Sequence, residues 1–222
     1  EKSVDPPWSE AIRKLAKNKL YLVTVAGYTA VAFATGAIVD WFATYLVKYR
    51  DMKLVDADSL VGTSAVVGGL VGTIVGGLLA DLLKGRVRHP YLAVSGFSLV
   101  PTVVLVTVAI YFADAPATIS IAIVAAMICF FMYNAPVNAL IVNSVDAGLR
   151  TRAFGLSILS IHLLGDAASP LIVGAISDST GDLAAALGLV PAFVAIGCVI
   201  WLVGWRALPY DPALDVPAPA AH

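Results

Sequence analysis

His162 and Asp166 lie four residues apart inside a long apolar stretch, with Gly165 and Ser169 beside them and Pro170 following. On a helix such a pair shares one face, one turn apart. Counting about 1.5 Å per residue from Arg152 places His162 about 15 Å into the stretch and Asp166 about 21 Å. An ionisable group at mid-bilayer depth costs about 2.5–3.5 kcal/mol even on the lenient insertion scale, so both should face a polar cavity or a partner. Imidazole is the side chain whose charge changes near neutral pH, which makes His162 a candidate for a proton or an anionic headgroup. Two roles fit Asp166: a member of the same site, or a hydrogen-bonding group toward a neighbouring helix with His162 as a polar rung. Pro170 cannot donate to the Asp166 carbonyl, so the helix is expected to bend there.

Other polar groups interrupt apolar runs. Tyr133, Asn134 and Asn138 surround Pro136, and the two asparagines share a helical face that could bind a solute or a neighbouring helix. An earlier run offers Phe33 and Asp40, with Asp40 at the mouth of any cavity and Trp41 and Tyr45 as interfacial belt residues. The candidate substrate or proton site is therefore His162, Asp166, Asn134, Asn138, Tyr133, Phe33 and Asp40. No Ser/His/Asp set, metal-ligand cluster or phosphate-binding glycine loop can be assembled, so neither an enzyme, a metal nor a cofactor is expected. Cys129 and Cys198 sit in apolar runs and read as small buried residues.

The elements that position these residues follow from composition. Hydrophobic residues make up 59% of the 222 and charged ones 13%, far from the balance of a water-soluble domain. Apolar stretches at roughly 20–47, 59–83, 90–112, 117–144, 153–177 and 183–207 are each long enough to cross about 30 Å of hydrocarbon. Helices satisfy their own backbone in lipid, so the chain is expected to be an all-α membrane protein with six transmembrane helices. The net charge of -1 gives no reason to expect nucleic acid. Basic residues divide eleven to three between the two sets of connections, with only Lys48, Arg50 and Lys53 on the poorer side. The positive-inside rule then places both termini in the cytoplasm.

Three regions are expected: a cytoplasmic linker over 1–19, the bundle over 20–208 and a disordered tail over 209–222. In the linker, Trp8, Ile12 and Leu15 recur at helical spacing and Arg13, Lys14 and Lys17 fall on other faces, as in a helix lying among lipid headgroups. Ser9 is a candidate N-cap for it. A glycine stripe at Gly68, Gly72 and Gly76, doubled by Gly69 and Gly77, should let another helix approach closely.

That stripe ends in Gly77-Leu78-Leu79-Ala80-Asp81, followed by Arg86 and Arg88. The segment resembles the glycine-aspartate-basic loop of the major facilitator superfamily in its second-half copy, with Leu82 where a basic residue usually stands. The run from His162 through Pro170, continued by Ile172, Gly174, Ile176, Ser177 and Asp178, resembles the eleventh-helix signature of Spinster-like lipid transporters in that superfamily. Arg150-Thr151-Arg152-Ala153 is similar to the preceding loop. The resemblance implies the C-terminal half of a major facilitator fold, helices seven to twelve, partnered by an N-terminal six-helix half and working by alternating access. It further implies a lysolipid or sphingolipid-like amphiphile as substrate, proton coupling, a cavity-lining His162, and Gly77, Asp81, Arg86 and Arg88 as a cytoplasmic gate. The expected location is a bacterial inner (plasma) membrane.

Overall fold

A computed structural model describes residues 7–210. A short helix, α1 (Trp8–Lys17), precedes six helices long and apolar enough to cross a membrane. These are α2 (Lys19–Arg50), α3 (Leu54–Leu82), α4 (Pro90–Tyr111), α5 (Pro116–Asn143), α6 (Ala147–Thr180) and α7 (Leu183–Ala207). Among the described residues there is no strand. The chain is a helical integral membrane protein.

Two helices run past the boundaries that hydropathy suggests. The first turn of α3 holds Asp56, a carboxylate that the partial positive charge of a helix N-terminus favours. α6 starts at Ala147, because Arg150 and Arg152 are polar yet good helix formers. α1 begins after Pro7, with no side-chain cap, so Ser9 is not its N-cap. The proposed tail lies outside the described residues except for Pro209 and Tyr210, and the linker likewise except for 7–19.

α4 and α7 pack against each other, and α7 also packs along α2; α2 in turn packs on the middle of α6, and α5 on α3 and α4. Trp201 of α7, fully buried, donates its indole N–H to the Thr24 carbonyl of α2 at 3.3 Å, where Gly27 leaves room for the ring. At the far end Tyr45 is buried and donates to the Ile110 carbonyl at the end of α4, so it is a packing residue and not part of an interfacial belt. The Arg50 guanidinium reaches the same carbonyl at 2.9 Å, a cation at a helix C-terminus. Asp182 caps α7 by accepting from the amides of Ala184 and Ala185. The Ala185 amide is the main cause that holds its carboxyl below the ordinary aspartate range.

Proline breaks in α5 and α6 set two close helix contacts. Pro136 has no N–H for the Met132 carbonyl, and Pro170 has none for the Asp166 carbonyl. Each freed carbonyl meets a glycine of a neighbouring helix. A methyl group added at Gly76 would collide with the Met132 oxygen, and one added at Gly36 would fall 2.5 Å from the Asp166 oxygen. Gly68 and Gly72 press on the Met127 and Ile128 backbone, so the partner of the stripe is α5 of this same chain. Gly69, by contrast, faces open space.

Candidate functional site

The middle of α6 departs from α-helical geometry where the titratable pair sits. Residues Ile161–Asp166 form one turn of π-helix, closed by the Ala167 amide on the His162 carbonyl at 3.0 Å. Such turns cost packing regularity and recur at functional positions. The Ser169 hydroxyl donates to the freed Asp166 carbonyl at 3.1 Å, and the Trp41 indole donates to the Pro170 carbonyl at 3.0 Å. The bend thus hangs on α2 through Gly36 and the half-buried Trp41. One turn nearer α1, Gly165 packs on Thr29, Ala32 and Phe33 backbone and side-chain atoms.

His162 Nδ1 and the Asp166 carboxylate are 2.8 Å apart, with side chains 65% and 33% exposed. That exposure decides between sealed packing and an open face. Tyr28 of α2 lies within range of the Asp166 charge, and its hydroxyl interacts with the Asn138 side chain of α5. The Asn138 amide nitrogen donates to the Asn134 carbonyl at 2.8 Å and to its side-chain oxygen at 3.0 Å. Asn134 reaches Thr73 of α3 at 3.4 Å. Two polar groups therefore lie near each other across four helices: the His162–Asp166 pair, and Tyr28 with Asn138, Asn134 and Thr73.

Not every candidate joins these groups. Phe33 is buried and stacks on Phe193 of α7 at 3.8 Å between ring centres, so it faces the bundle core. Tyr133 is also buried, wedged among Tyr28, Phe130 and Trp201 and hydrogen-bonded with Thr35, so it backs Tyr28 without joining the polar groups. Asp40 is exposed one turn beyond Gly36 and touches none of these groups. Tyr28 and Thr73 were not in the candidate set: a lone tyrosine or threonine in an apolar run carries no sign of which face it occupies.

At Asn138 the polar groups border a cleft of about 560 Å³ among α3, α4, α5 and α6, whose walls also include Asn143, Gly77, Asp81 and Lys84; His162 and Asp166 lie outside its walls. Two of the four gate candidates, Gly77 and Asp81, thereby share a cleft with Asn138. Asp81 pairs with Lys84 at 2.8 Å and accepts from the Tyr91 hydroxyl at 3.3 Å. Burial works against the Lys84 charge, but the hydrogen bonds to Asp81 and Tyr91 outweigh it and hold its ammonium above the ordinary lysine range. Arg88 instead donates to the Leu208 carbonyl after α7 at 3.3 Å, and Arg86 is exposed. Among the described residues no cluster of potential metal ligands occurs.

A six-helix membrane bundle with polar groups on an open face and basic loops at one end is the architecture of half a transporter. A model of the Major Facilitator Superfamily matches residues 1–170, and the chain belongs to that superfamily. Within it the chain is similar to Spinster homologues. The probable sphingolipid transporter spinster homolog 2 of Arabidopsis thaliana is 28% identical over 87% of this chain and 39% of its own length. The sphingosine-1-phosphate transporter SPNS2 of Danio rerio is 27% identical over 88% of this chain and 44% of its own length. The fold matches a crystal structure of a bacterial homolog to the human lysosomal transporter Spinster, inward-facing and unoccupied, with a TM-score of 0.67 and 16% identity. That match covers 99% of this chain and 54% of the other. The chain spans about two fifths of the length of these curated relatives.

Proposed function

We propose that this six-helix bundle is the C-terminal half of a secondary active transporter that carries a lysolipid or a sphingolipid-like amphiphile. The observation that carries the reading is the His162–Asp166 pair, bonded at 2.8 Å yet open on one face, with Tyr28 and Asn138 near it. Groups of this kind persist at mid-depth where a wet cleft receives them, and a second six-helix half completes that cleft around a midplane site. Beside the polar residues the cleft at Asn138 has apolar walls at Ala135, Pro136, Ala139, Val142 and Phe154, which gives a hydrocarbon chain a surface next to a headgroup. His162 meets the headgroup and takes up the coupling proton, Asp166 orients its ring, and Tyr28 and Asn138 complete the polar wall. The names of the Arabidopsis and zebrafish relatives, which are or are probable transporters of sphingolipids or sphingosine-1-phosphate, support the substrate class.

Asp81, Lys84 and Tyr91 form the gate at the cytoplasmic end of the same cleft, with Gly77 giving it room. Both termini lie in the cytoplasm and the membrane is a bacterial inner membrane, in keeping with the basic loops. One half offers a single wall and too little differential contact between inward and outward states to move solute. Proteoliposomes carrying the transporter that contains this chain are expected to take up a fluorescent lysophospholipid, with competition by sphingosine-1-phosphate and none by glucose. Proteoliposomes carrying residues 1–222 alone are expected to stay at the rate of empty vesicles. Competition by glucose, or uptake by the half alone, contradicts the proposal.

A further inference from the structure

The short helix α1 carries an apolar arc of Ala11, Leu15, Trp8, Ile12 and Ala16, and only part of it is used inside the protein. Ala11 and Leu15 are buried against the bundle. Trp8 and Ile12 are 57% and 50% exposed. Arg13 flanks the exposed remainder beyond Ala16 and Lys17 projects from the opposite side of the helix, both exposed, while Lys14 is paired with Glu10 at 3.0 Å.

The placement of α1 is fixed by this chain's own bundle. The Asn18 side chain between α1 and α2 donates to the Ser144 carbonyl at the end of α5 at 2.5 Å. At the other end the Arg152 guanidinium of α6 lies 5.3 Å from the centre of the Trp8 ring. Asn18 has extended backbone, so the chain turns sharply between α1 and the span that begins at Lys19. α1 is therefore strapped across the ends of α5 and α6 at the depth where α2 enters the bilayer.

We infer that the free half of α1 is a docking surface for anionic lipid headgroups, with Trp8 and Ile12 set into the boundary between headgroups and acyl chains, Arg13 on the phosphates and Lys17 adding to the positive field near them. The chemistry matches on both counts: amphipathic helices of this pattern lie in the interface plane, and each basic residue near an anionic surface adds to the attraction. The consequence is mechanical. Lipid charge bears on the joint between α5 and α6, the two helices that carry Asn138 and His162. The inference needs only the membrane location of the bundle and stands apart from the transport proposal.

Hydrogen exchange of the Trp8–Lys17 amides, measured on the full chain in nanodiscs, tests it. Exchange is expected to be slower in phosphatidylcholine with phosphatidylglycerol than in phosphatidylcholine alone. In R13Q/K17Q the added protection is expected to fall about fivefold for each charge removed, and in 1 M salt the wild-type gain should fade as the screening length drops to about 3 Å. Ile12→Ser should speed exchange in both lipids, because it acts on the apolar contact. Equal exchange in the two lipids and in detergent, or a gain that survives R13Q/K17Q, would overturn the inference and leave α1 held by the bundle alone.

Discussion

Replacing Gly36 with leucine is expected to destabilise the bundle by about 3 kcal/mol, the upper end of the usual overpacking cost, and to stop transport altogether. The side chain would be driven into Asp166, whose carbonyl oxygen lies 2.5 Å and Cα 2.8 Å from the position of the first added carbon. Backbone cannot swing aside as a side chain can, so α2 and α6 must separate. Separation breaks the Trp41 bond to Pro170 and moves Asp166 away from Tyr28. Gly62→Leu is the control, since nothing lies within 4 Å of that position. Thermal unfolding in detergent should show a clear drop for Gly36→Leu and a change within about 0.5 kcal/mol for Gly62→Leu. Equal stability of the two variants would mean that α2 and α6 do not meet at this glycine.

His162→Ala, introduced into the transporter that contains this chain, is expected to lower lysolipid uptake ten- to a hundredfold. The span follows from losing one hydrogen bond to a charged group, about 1.5–3 kcal/mol. Stability should hardly change, because the His162 side chain is 65% exposed and packs against little. The two readouts together separate the candidate roles. A histidine turned to lipid would be costly to keep, and its removal would raise stability while leaving uptake intact. A histidine sealed in packing would lower stability when truncated. Asp166→Asn should give a smaller loss, since the amide can still reach His162 Nδ1, and the response of uptake to pH should disappear only in His162→Ala. Uptake with wild-type affinity and pH response in that variant would remove His162 from the site.

The six spans were legible because apolar length is a strong signal when the solvent is lipid. Which face of each span packs inward was not, because a membrane helix is apolar all round and its periodicity no longer marks the buried side. Phe33 and Tyr133 show the consequence: both look like cavity aromatics in sequence and both are buried, one on Phe193 and the other among Tyr28, Phe130 and Trp201. Tyr45 was misplaced for the same reason. Ionisable and amide residues kept their signal, since their cost in lipid allows few positions. His162 pairs with Asp166 and Asn138 with Asn134, whereas Asp40 stands apart from both pairs.

The proline breaks were half legible. Pro170 announces a freed carbonyl, but the sequence cannot say that Gly36, 130 positions earlier, comes up against it while Ser169 donates to it. Nor could the π-helical turn at Ile161–Asp166 be read, since no residue type in it marks a change of helical pitch. The loop motif was legible as a motif only. Asp81 and Lys84 pair and border the cleft, whereas Arg88 holds the chain after α7 and Arg86 faces solvent.

The central claim is that the face bearing His162 and Asp166 meets water and not hydrocarbon. Thiol labelling of His162→Cys, in a transporter whose Cys129 and Cys198 are changed to alanine, tests it most directly. A membrane-impermeant methanethiosulfonate reagent is expected to modify Cys at 162, and added lysolipid should slow the reaction. Resistance to that reagent, together with modification by a lipid-soluble maleimide, would place the residue against the bilayer and contradict the account.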